Sequence, residues 1–317
     1  MPTISIIREF HAPPYGGGNQ YMLYLVKEFR RMGFDVKINA FSKKIRVFIV
    51  DYCWFNSIYE HKIIEHKEKF NSKIIHRIDG LLTEYSSYSR FKLDELALRL
   101  NSYADLTIVQ SKYSMKQFYE NNKKLRKTKI IYNSVDNSIF FREKKKKDAP
   151  NKIVRLISAS WSFNKNKGMD DYLWLDNNIF DLTKYNLNYT FVGRLDFEPS
   201  NILLIKPQGQ RGLAKKFNAA DIFIFCSKKD PCPNVLLEAI ACGLPVIYKN
   251  AGGPKELVKN FGLAYDNVNQ IPDLIDEIIS NYDYFRNEID KYIMPNAPKK
   301  YSEEVLKLLN FKNDINS

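Results

Sequence analysis

The sequence predicts two α/β domains, each a parallel sheet covered by helices on both faces. Three observations carry that expectation. The chain has 317 residues, a length for about two domains of roughly 100–200 residues each. Short apolar runs alternate with stretches of helical period in both halves, the pattern of parallel sheets wrapped by helices. A charge run without large apolar residues separates the halves. With 44% hydrophobic and 27% charged residues the chain can bury two cores, which excludes disordered, collagen-like and disulfide-miniprotein classes. Apolar runs such as Tyr21–Val26 are far below the ~20 residues of a spanning helix. Ile4–Ile7 is too short for a signal-peptide core and reads as a first buried strand. The four cysteines (Cys53, Cys226, Cys232, Cys242) make no CxxC pair, so neither a zinc knuckle nor a disulfide framework is expected; reduced thiols and a cytoplasmic location are.

In the first half the strand candidates are Thr3–Ile7, Asp35–Ala40, Arg46–Val50, Lys73–Arg77, Leu106–Gln110 and Lys129–Tyr132. Helical spacing is found at Asn19–Met32, Ile58–Lys69, Phe91–Tyr103 and Lys112–Asn122. The second half repeats the alternation, with strands at Ile153–Ala159, Asn188–Val192, Ile202–Lys206, Ile222–Cys226 and Pro245–Lys249. Its helices are expected at Leu213–Ala219, Val235–Cys242, Pro254–Lys259 and Ile271–Asn281, and Lys300–Leu309 has helical spacing at the end. The stretch Glu143–Asn151, EKKKKDAPN, reads as a solvated linker. The expected domains are therefore two Rossmann-like units, 1–148 and 149–297, with a last helix at about 298–312.

Charge is uneven. Residues 1–150 hold +12 of the formal +13. Either the surface is simply rich in lysine, or the first half meets an anionic surface: lipid headgroups, a phosphorylated acceptor or nucleic acid.

Four segments could carry chemistry. Pro13–Gln20, PPYGGGNQ, places Gly17 and Gly18 in a strand-to-helix turn, where backbone N–H groups can approach a phosphate. It is not GxGxxG, so a dinucleotide fingerprint is absent. Lys73–Gly80, KIIHRIDG, brings His76, Arg77 and Asp79 to the end of a strand. His76 could face a ligand crevice or be a satisfied core residue, and Arg77 and Asp79 could pair with each other. Ser158–Gly168, SASWSFNKNKG, offers Lys165 and Lys167 beside Gly168, either to neutralise a diphosphate or as a solvated turn.

The most specific segment is Lys228–Val246, KKDPCPNVLLEAIACGLPV, after the strand ADIFIFCS. Asp230 and Glu238 have seven residues between them. Pro231 and Pro233 delay the helix, Asn234 is a good N-cap, and Glu238 falls one turn in. Amides near Val235 could hold a phosphate while the two carboxylates accept sugar hydroxyls. No metal-binding Asp-x-Asp motif occurs.

Ala219–Val258 resembles the signature of retaining glycosyltransferases of family 4. That family carries a Glu-x7-Glu motif whose second Glu opens a Glu-Ala-x-Ala-x-Gly-x-Pro-Val run. Here the first position is Asp230 and the run is intact from Glu238 to Val246. Gly16–Gly18, His76, Tyr132–Asp136 and Lys167–Gly168 fall in the matching order. The resemblance implies the GT-B fold, with two Rossmann-like domains facing a cleft and the last helix crossing back to the first domain. It implies a metal-independent hexosyltransferase that moves a sugar, with retention, from a nucleotide-diphosphate donor to a glycan or lipid-linked acceptor. Catalytic Asp230, Lys167 and His76 would sit at the sugar and diphosphate. Gly17, Gly18, Lys165, Asn234, Val235 and Glu238 would bind the donor, Glu238 through the ribose. The family's usual Gly-Arg pair before the Lys is replaced by ASWS at 159–162, and a Gly193-Arg194 pair follows the next strand. No cofactor, metal or nucleic acid is expected. A peripheral position on the inner face of an anionic membrane is expected from the charge. A sugar-nucleotide epimerase of the same fold is the alternative from a related class. A non-catalytic or nucleic-acid-binding protein is the alternative from another.

Overall fold

A computed structural model of the chain describes residues 1–12, 16–85, 90–143, 150 and 153–310. Contacts divide it into two compact units. One comprises Met1–His11, Tyr21–Ser134 and Pro295–Ser317; the other comprises Ala12–Gln20 and Val135–Met294.

The first unit contains β1 (Thr3–Ile7), α1 (Gly17–Arg31, from Tyr21 on), β2 (Asp35–Ile38), β3 (Ile45–Asp51) and α2 (Ile58–Phe70). These are followed by β4 (Lys73–Ile78), α3 (Leu82–Tyr85), α4 (Phe91–Asn101), β5 (Leu106–Val109), α5 (Lys112–Glu120) and β6 (Thr128–Ile130). All six strands are parallel, in the order β2-β1-β3-β4-β5-β6. The near-continuous apolar strands follow from burial on both faces. Along β3, Val47 and Ile49 pack with Met22, Leu25 and Phe29 of α1, whereas Phe48 and Val50 pack with Ile63 of α2 and Leu100 of α4. Local capping agrees with the pattern: the Ser111 hydroxyl accepts the Ser114 N–H at 2.9 Å and starts α5.

The second unit contains β7 (Ile153–Ser160), α6 (Met169–Asn178), β8 (Asn186–Gly193), β9 (Leu203–Ile205), α7 (Gln210–Ala219) and β10 (Ile222–Phe225). It continues with α8 (Asn234–Ala241), β11 (Val246–Lys249), α9 (Pro254–Leu257), β12 (Gly262–Tyr265), α10 (Ile271–Ser280) and α11 (Tyr282–Asp290). Its six strands are also parallel, in the order β12-β11-β10-β7-β8-β9. The last helix, α12 (Ala297–Leu308), returns to the first unit, where Ala297, Tyr301, Val305 and Leu306 join the core beside α1. The two-domain α/β class read from the sequence is the class observed.

Three differences have physical causes. The break between units falls at Ser134/Val135 rather than 148/149. Residues 135–143 are tied into the second unit by buried Val135 and Phe140, by Arg142 paired with Asp290 at 2.5 Å, and by the Glu143 N–H on Asn218. Most of the expected linker, 144–149 and 151, lies outside the described residues, as do 311 and 312 of the expected last helix. Helix α6, MDDYLWLDNN, is rich in Asp and Asn, which disfavour helix interiors. Tertiary contacts hold it: Asp176 accepts the N–H groups of Ser200, Asn201 and Ile202 at 2.7–2.9 Å, and Asp171 accepts the Tyr265 hydroxyl at 2.8 Å. Strand β12, GLAY, has little β propensity and exists by pairing with β11.

Candidate functional site

In the second unit the carboxyl ends of β7, β8 and β10 and the helices that follow them gather most of the polar residues singled out from the sequence. After β7 the chain makes a single 3₁₀ turn at Lys165–Lys167, opened by the Asn164 side chain accepting the Asn166 N–H at 2.9 Å. The turn is pinned to the end of β10, because the Asn166 carbonyl accepts the Lys228 N–H at 2.8 Å and the Ser227 hydroxyl at 3.1 Å. Gly168 lets it lie there. Its φ is +84°, and a Cβ would stand 2.2 Å from the Cys226 carbonyl oxygen. Lys167 is therefore aimed by the fold, and its ammonium pairs with Asp230 at 2.5 Å. Lys165, two residues earlier, is exposed.

Asp230 is held from the other side. Its carbonyl accepts the Gly253 N–H at 2.8 Å, and a Cβ on Gly253 would stand 1.8 Å from the Pro231 carbonyl oxygen. Only glycine permits that approach of the AGGPKE loop to the Asp230–Pro231 backbone. Asn234 is the first residue of α8; the cap position belongs to Pro233 and no side chain caps the helix. This corrects the expectation of Asn234 as N-cap. The first turn of α8, Val235 included, is the positive end of the helix, an environment that suits an anion. Gly17 belongs to the same unit, and a Cβ there would be 3.1 Å from the Asn234 side-chain nitrogen. Gly17 and Gly18 are the first two residues of α1 rather than part of the turn before it.

Glu238 is on α8 and 8% exposed, and among the described residues its carboxylate has no hydrogen-bond or ion-pair partner. Burial pushes its carboxyl up to about 8. A helix that only needed packing would place Leu or Ala here, so the buried acid is the costly feature of this segment.

His76 belongs to the first unit. Its ring is fully buried in the middle of β4, with Nε2 on the Tyr52 carbonyl at 3.0 Å and Nδ1 on Asn101 at 3.2 Å. Burial lowers its pKa to about 4. Strand alternation turns the ring of His76, expected from the resemblance beside the sugar, into the layer under α4, where both of its nitrogens are hydrogen-bonded within the first unit. The polar group at the end of β4 is instead Arg77 with Asp79. Arg77, fully buried, pairs with Asp51 at 2.5 Å and also with Asp79, and lies 4.8 Å over the Tyr21 ring. Asp51 also takes Arg8, Asp79 also takes Gln110, and Asn133 donates to Gln110 at 2.6 Å. These residues end or follow five parallel strands, Arg77 and Asp79 sharing β4, so one sheet edge is lined by a matched set of two cations and two carboxylates. Sequence reading missed the set because its members are spread over 125 residues; the one local signal was the Arg77-x-Asp79 pair.

Residues 184–300 match the family model for glycosyl transferases group 1. That segment includes Asp230, Asn234, Val235 and Glu238. A probable sucrose-phosphate synthase of Thermosipho melanesiensis is 31% identical over 113 residues, 33% of this chain and 27% of that protein. The match thus spans about a quarter of that relative's length. Among solved structures, the sucrose-phosphate synthase of Thermosynechococcus elongatus aligns at a TM-score of 0.74 with 15% identity, covering 98% of this chain and 100% of that one. Anabaena HepE in complex with UDP and glucose aligns at a TM-score of 0.72, again with 15% identity, covering 98% and 100%. At those identities the likeness establishes the fold. The chain has the GT-B fold, and its second unit carries a glycosyltransferase group 1 segment. Lys165, Lys167, Gly17 and Gly18 lie outside the matched segment in sequence but belong to the same unit.

Proposed function

We propose that the protein is a retaining, metal-independent glycosyltransferase of the family 4 type that moves a hexose from a nucleotide-diphosphate sugar to a glycan or lipid-linked acceptor. The single observation that carries this reading is the pairing of Lys167 with Asp230, in the same unit as the N-terminus of a helix that bears the buried Glu238. A cation, a set of amides and two carboxylates are what a sugar diphosphate requires.

The reaction breaks the bond between the sugar C1 and the diphosphate oxygen and forms one from C1 to an acceptor oxygen. The acceptor approaches from the leaving-group side, and its hydroxyl proton goes to the departing diphosphate. Charge grows on that oxygen as the bond stretches. Lys167 and the N–H groups of Asn234 and Val235 stabilise it without reorganisation, because the 3₁₀ turn and α8 already hold them in place. Asp230 accepts hydroxyls of the donor sugar and orients Lys167, Gly17 and Gly18 line the diphosphate, Lys165 adds positive charge, and Glu238 accepts ribose hydroxyls. No cofactor other than the nucleotide sugar enters this scheme. UDP in the complexes of a similar fold makes uracil the first base to try.

No described helix is long and apolar enough to cross a membrane. In the first unit Lys123 lies 5.9 Å over the exposed Phe91, and Arg90 lies 5.7 Å over Trp54. Such basic-aromatic pairs, with the +12 of residues 1–150, support a peripheral contact with anionic lipid on the cytoplasmic side. Co-sedimentation with anionic but not neutral vesicles is the expected result, and equal partitioning overturns it.

A thermal-shift panel of nucleoside-diphosphate sugars, run with and without EDTA, tests the main reading. A cognate donor at roughly 100 times its Kd should stabilise by ~2.7 kcal/mol, with EDTA making no difference. A flat panel overturns the reading; a shift abolished by EDTA and restored by Mg²⁺ overturns metal independence.

A further inference from the structure

Arg194 and Trp161 stand at the carboxyl ends of two adjacent strands of the second unit. Ser160 of β7 pairs with Gly193 of β8, and the Arg194 N–H donates to the Ser160 carbonyl at 3.0 Å. The approach is close: a Cβ on Gly193 would be 1.8 Å from that carbonyl oxygen. The two residues that follow, Trp161 and Arg194, then meet. The guanidinium carbon lies 4.4 Å from the centre of the Trp161 ring system. Trp161 is half-buried and Arg194 is exposed. Among the described residues no carboxylate is within ion-pair distance of Arg194. The indole also reaches the glycine-rich segment, where a Cβ on Gly16 would be 4.0 Å from Trp161 Cδ1, and Gly17 beside it borders the Asn234 side chain.

This arrangement has features of a prepared anion contact. Stacking on an aromatic face fixes the plane of an otherwise flexible side chain and leaves the N–H edge of the guanidinium free. That edge is suited to bidentate contact with phosphate oxygens. It lies at the carboxyl edge of a parallel sheet, where ligands of such sheets bind. There is also a need for a second cation. Lys167 is shared with Asp230, so its charge is offset locally, whereas a nucleoside diphosphate brings at least two negative charges. The segment 159–162 after β7, ASWS, contains no cation.

We propose that Arg194 is a second cationic ligand of the donor diphosphate and that Trp161 is its positioning residue. This deepens the donor reading given above and rests on it.

Calorimetric titration of the full chain with UDP and with uridine tests the proposal on the wild type, Arg194→Ala, Trp161→Leu and Trp161→Phe. Uridine carries the base and ribose without phosphate, so it reports everything except the contact in question. Arg194→Ala should weaken UDP roughly tenfold, the loss of one charge-assisted contact, and leave uridine within about twofold. Trp161→Leu should give a smaller loss of the same selectivity, and Trp161→Phe should restore most of it, since an aromatic face remains. Arg194→Ala without effect on UDP, or with equal effects on UDP and uridine, overturns the role of Arg194. Trp161→Leu at full UDP affinity overturns the positioning role. A wild type that binds UDP while Arg194→Ala binds it equally well defeats this inference alone. A wild type that binds no nucleoside diphosphate defeats the donor reading as well.

Discussion

Replacing Glu238 with Gln should flatten the pH dependence of stability between about pH 5 and pH 8. Glu238 is 8% exposed and its carboxyl is pushed up to about 8 by burial. In the unfolded chain the same group titrates near its ordinary value of about 4.3. Between those two values the unfolded chain has lost a proton that the native chain keeps. Stability therefore falls as pH rises through this window, by up to ~1.4 kcal/mol per pH unit, and levels off above about pH 8, where both states are ionised. From pH 5.5 to pH 7.5 the loss is up to about 2.7 kcal/mol. For a unit of roughly 150 residues each kcal/mol moves Tm by about 2–4 °C, so the wild type should lose roughly 5–10 °C relative to Glu238→Gln across that range. Gln keeps the shape and cannot ionise, which makes the difference between the two proteins a measure of this one group. Scanning calorimetry at several pH values reads it. A wild-type-minus-variant difference that stays constant refutes the reasoning from burial. A second measurement isolates the ribose role. If ribose hydroxyls donate to the ionised carboxylate, UDP binding near pH 6.5 must release a proton, seen as buffer-dependent binding enthalpy. Release absent in the wild type would remove Glu238 from the donor site and leave the burial argument standing.

Lys167→Ala should lower kcat more than it raises KM, because diphosphate charge is greatest in the transition state; steady-state kinetics in which Lys165→Ala carries the whole effect would transfer the role to Lys165. Gly168→Ala should destabilise the second unit by roughly 1–3 kcal/mol, since φ is +84° and the Cys226 carbonyl occupies the space of a Cβ; denaturant unfolding equal to wild type would contradict that backbone geometry. His76→Ala should cost roughly 2–4 kcal/mol from a cavity and two lost hydrogen bonds while leaving the Kd for UDP unchanged, and a weakened Kd in a folded variant would return His76 to the donor site.

Much of the fold was legible because parallel α/β sheets write themselves locally. Strands buried on both faces must be apolar throughout, so β1, β3, β4 and β10 announce themselves as Ile, Val and Phe runs, and helices between them show a polar face. The Asp230–Val246 segment was legible for a related reason. Pro231, Pro233, Asn234 and the small residues after Glu238 restrict the backbone by their own sterics, and Asp230 and Glu238 lie on one short stretch. Helix α6 escaped because its stability comes from N–H groups of residues 200–202 and a tyrosine at 265, not from its own composition.

Orientation was the part that sequence could not supply. Nothing in KIIHRIDG distinguishes which residues of the strand turn into the α4 layer and which meet the sheet edge; only the packed strand shows His76 buried on Tyr52 and Asn101 while Arg77 joins Asp51 and Asp79. The same holds for Lys167 against Asp230, 63 residues apart, and for Arg194 over Trp161, 33 apart. By itself the sequence determined the two-domain α/β architecture and the chemical character of the Asp230–Val246 segment, because period, propensity and backbone restriction act between near neighbours. Only the tertiary structure decided which charges meet, because parallel pairing sets side by side strand ends that are far apart along the chain.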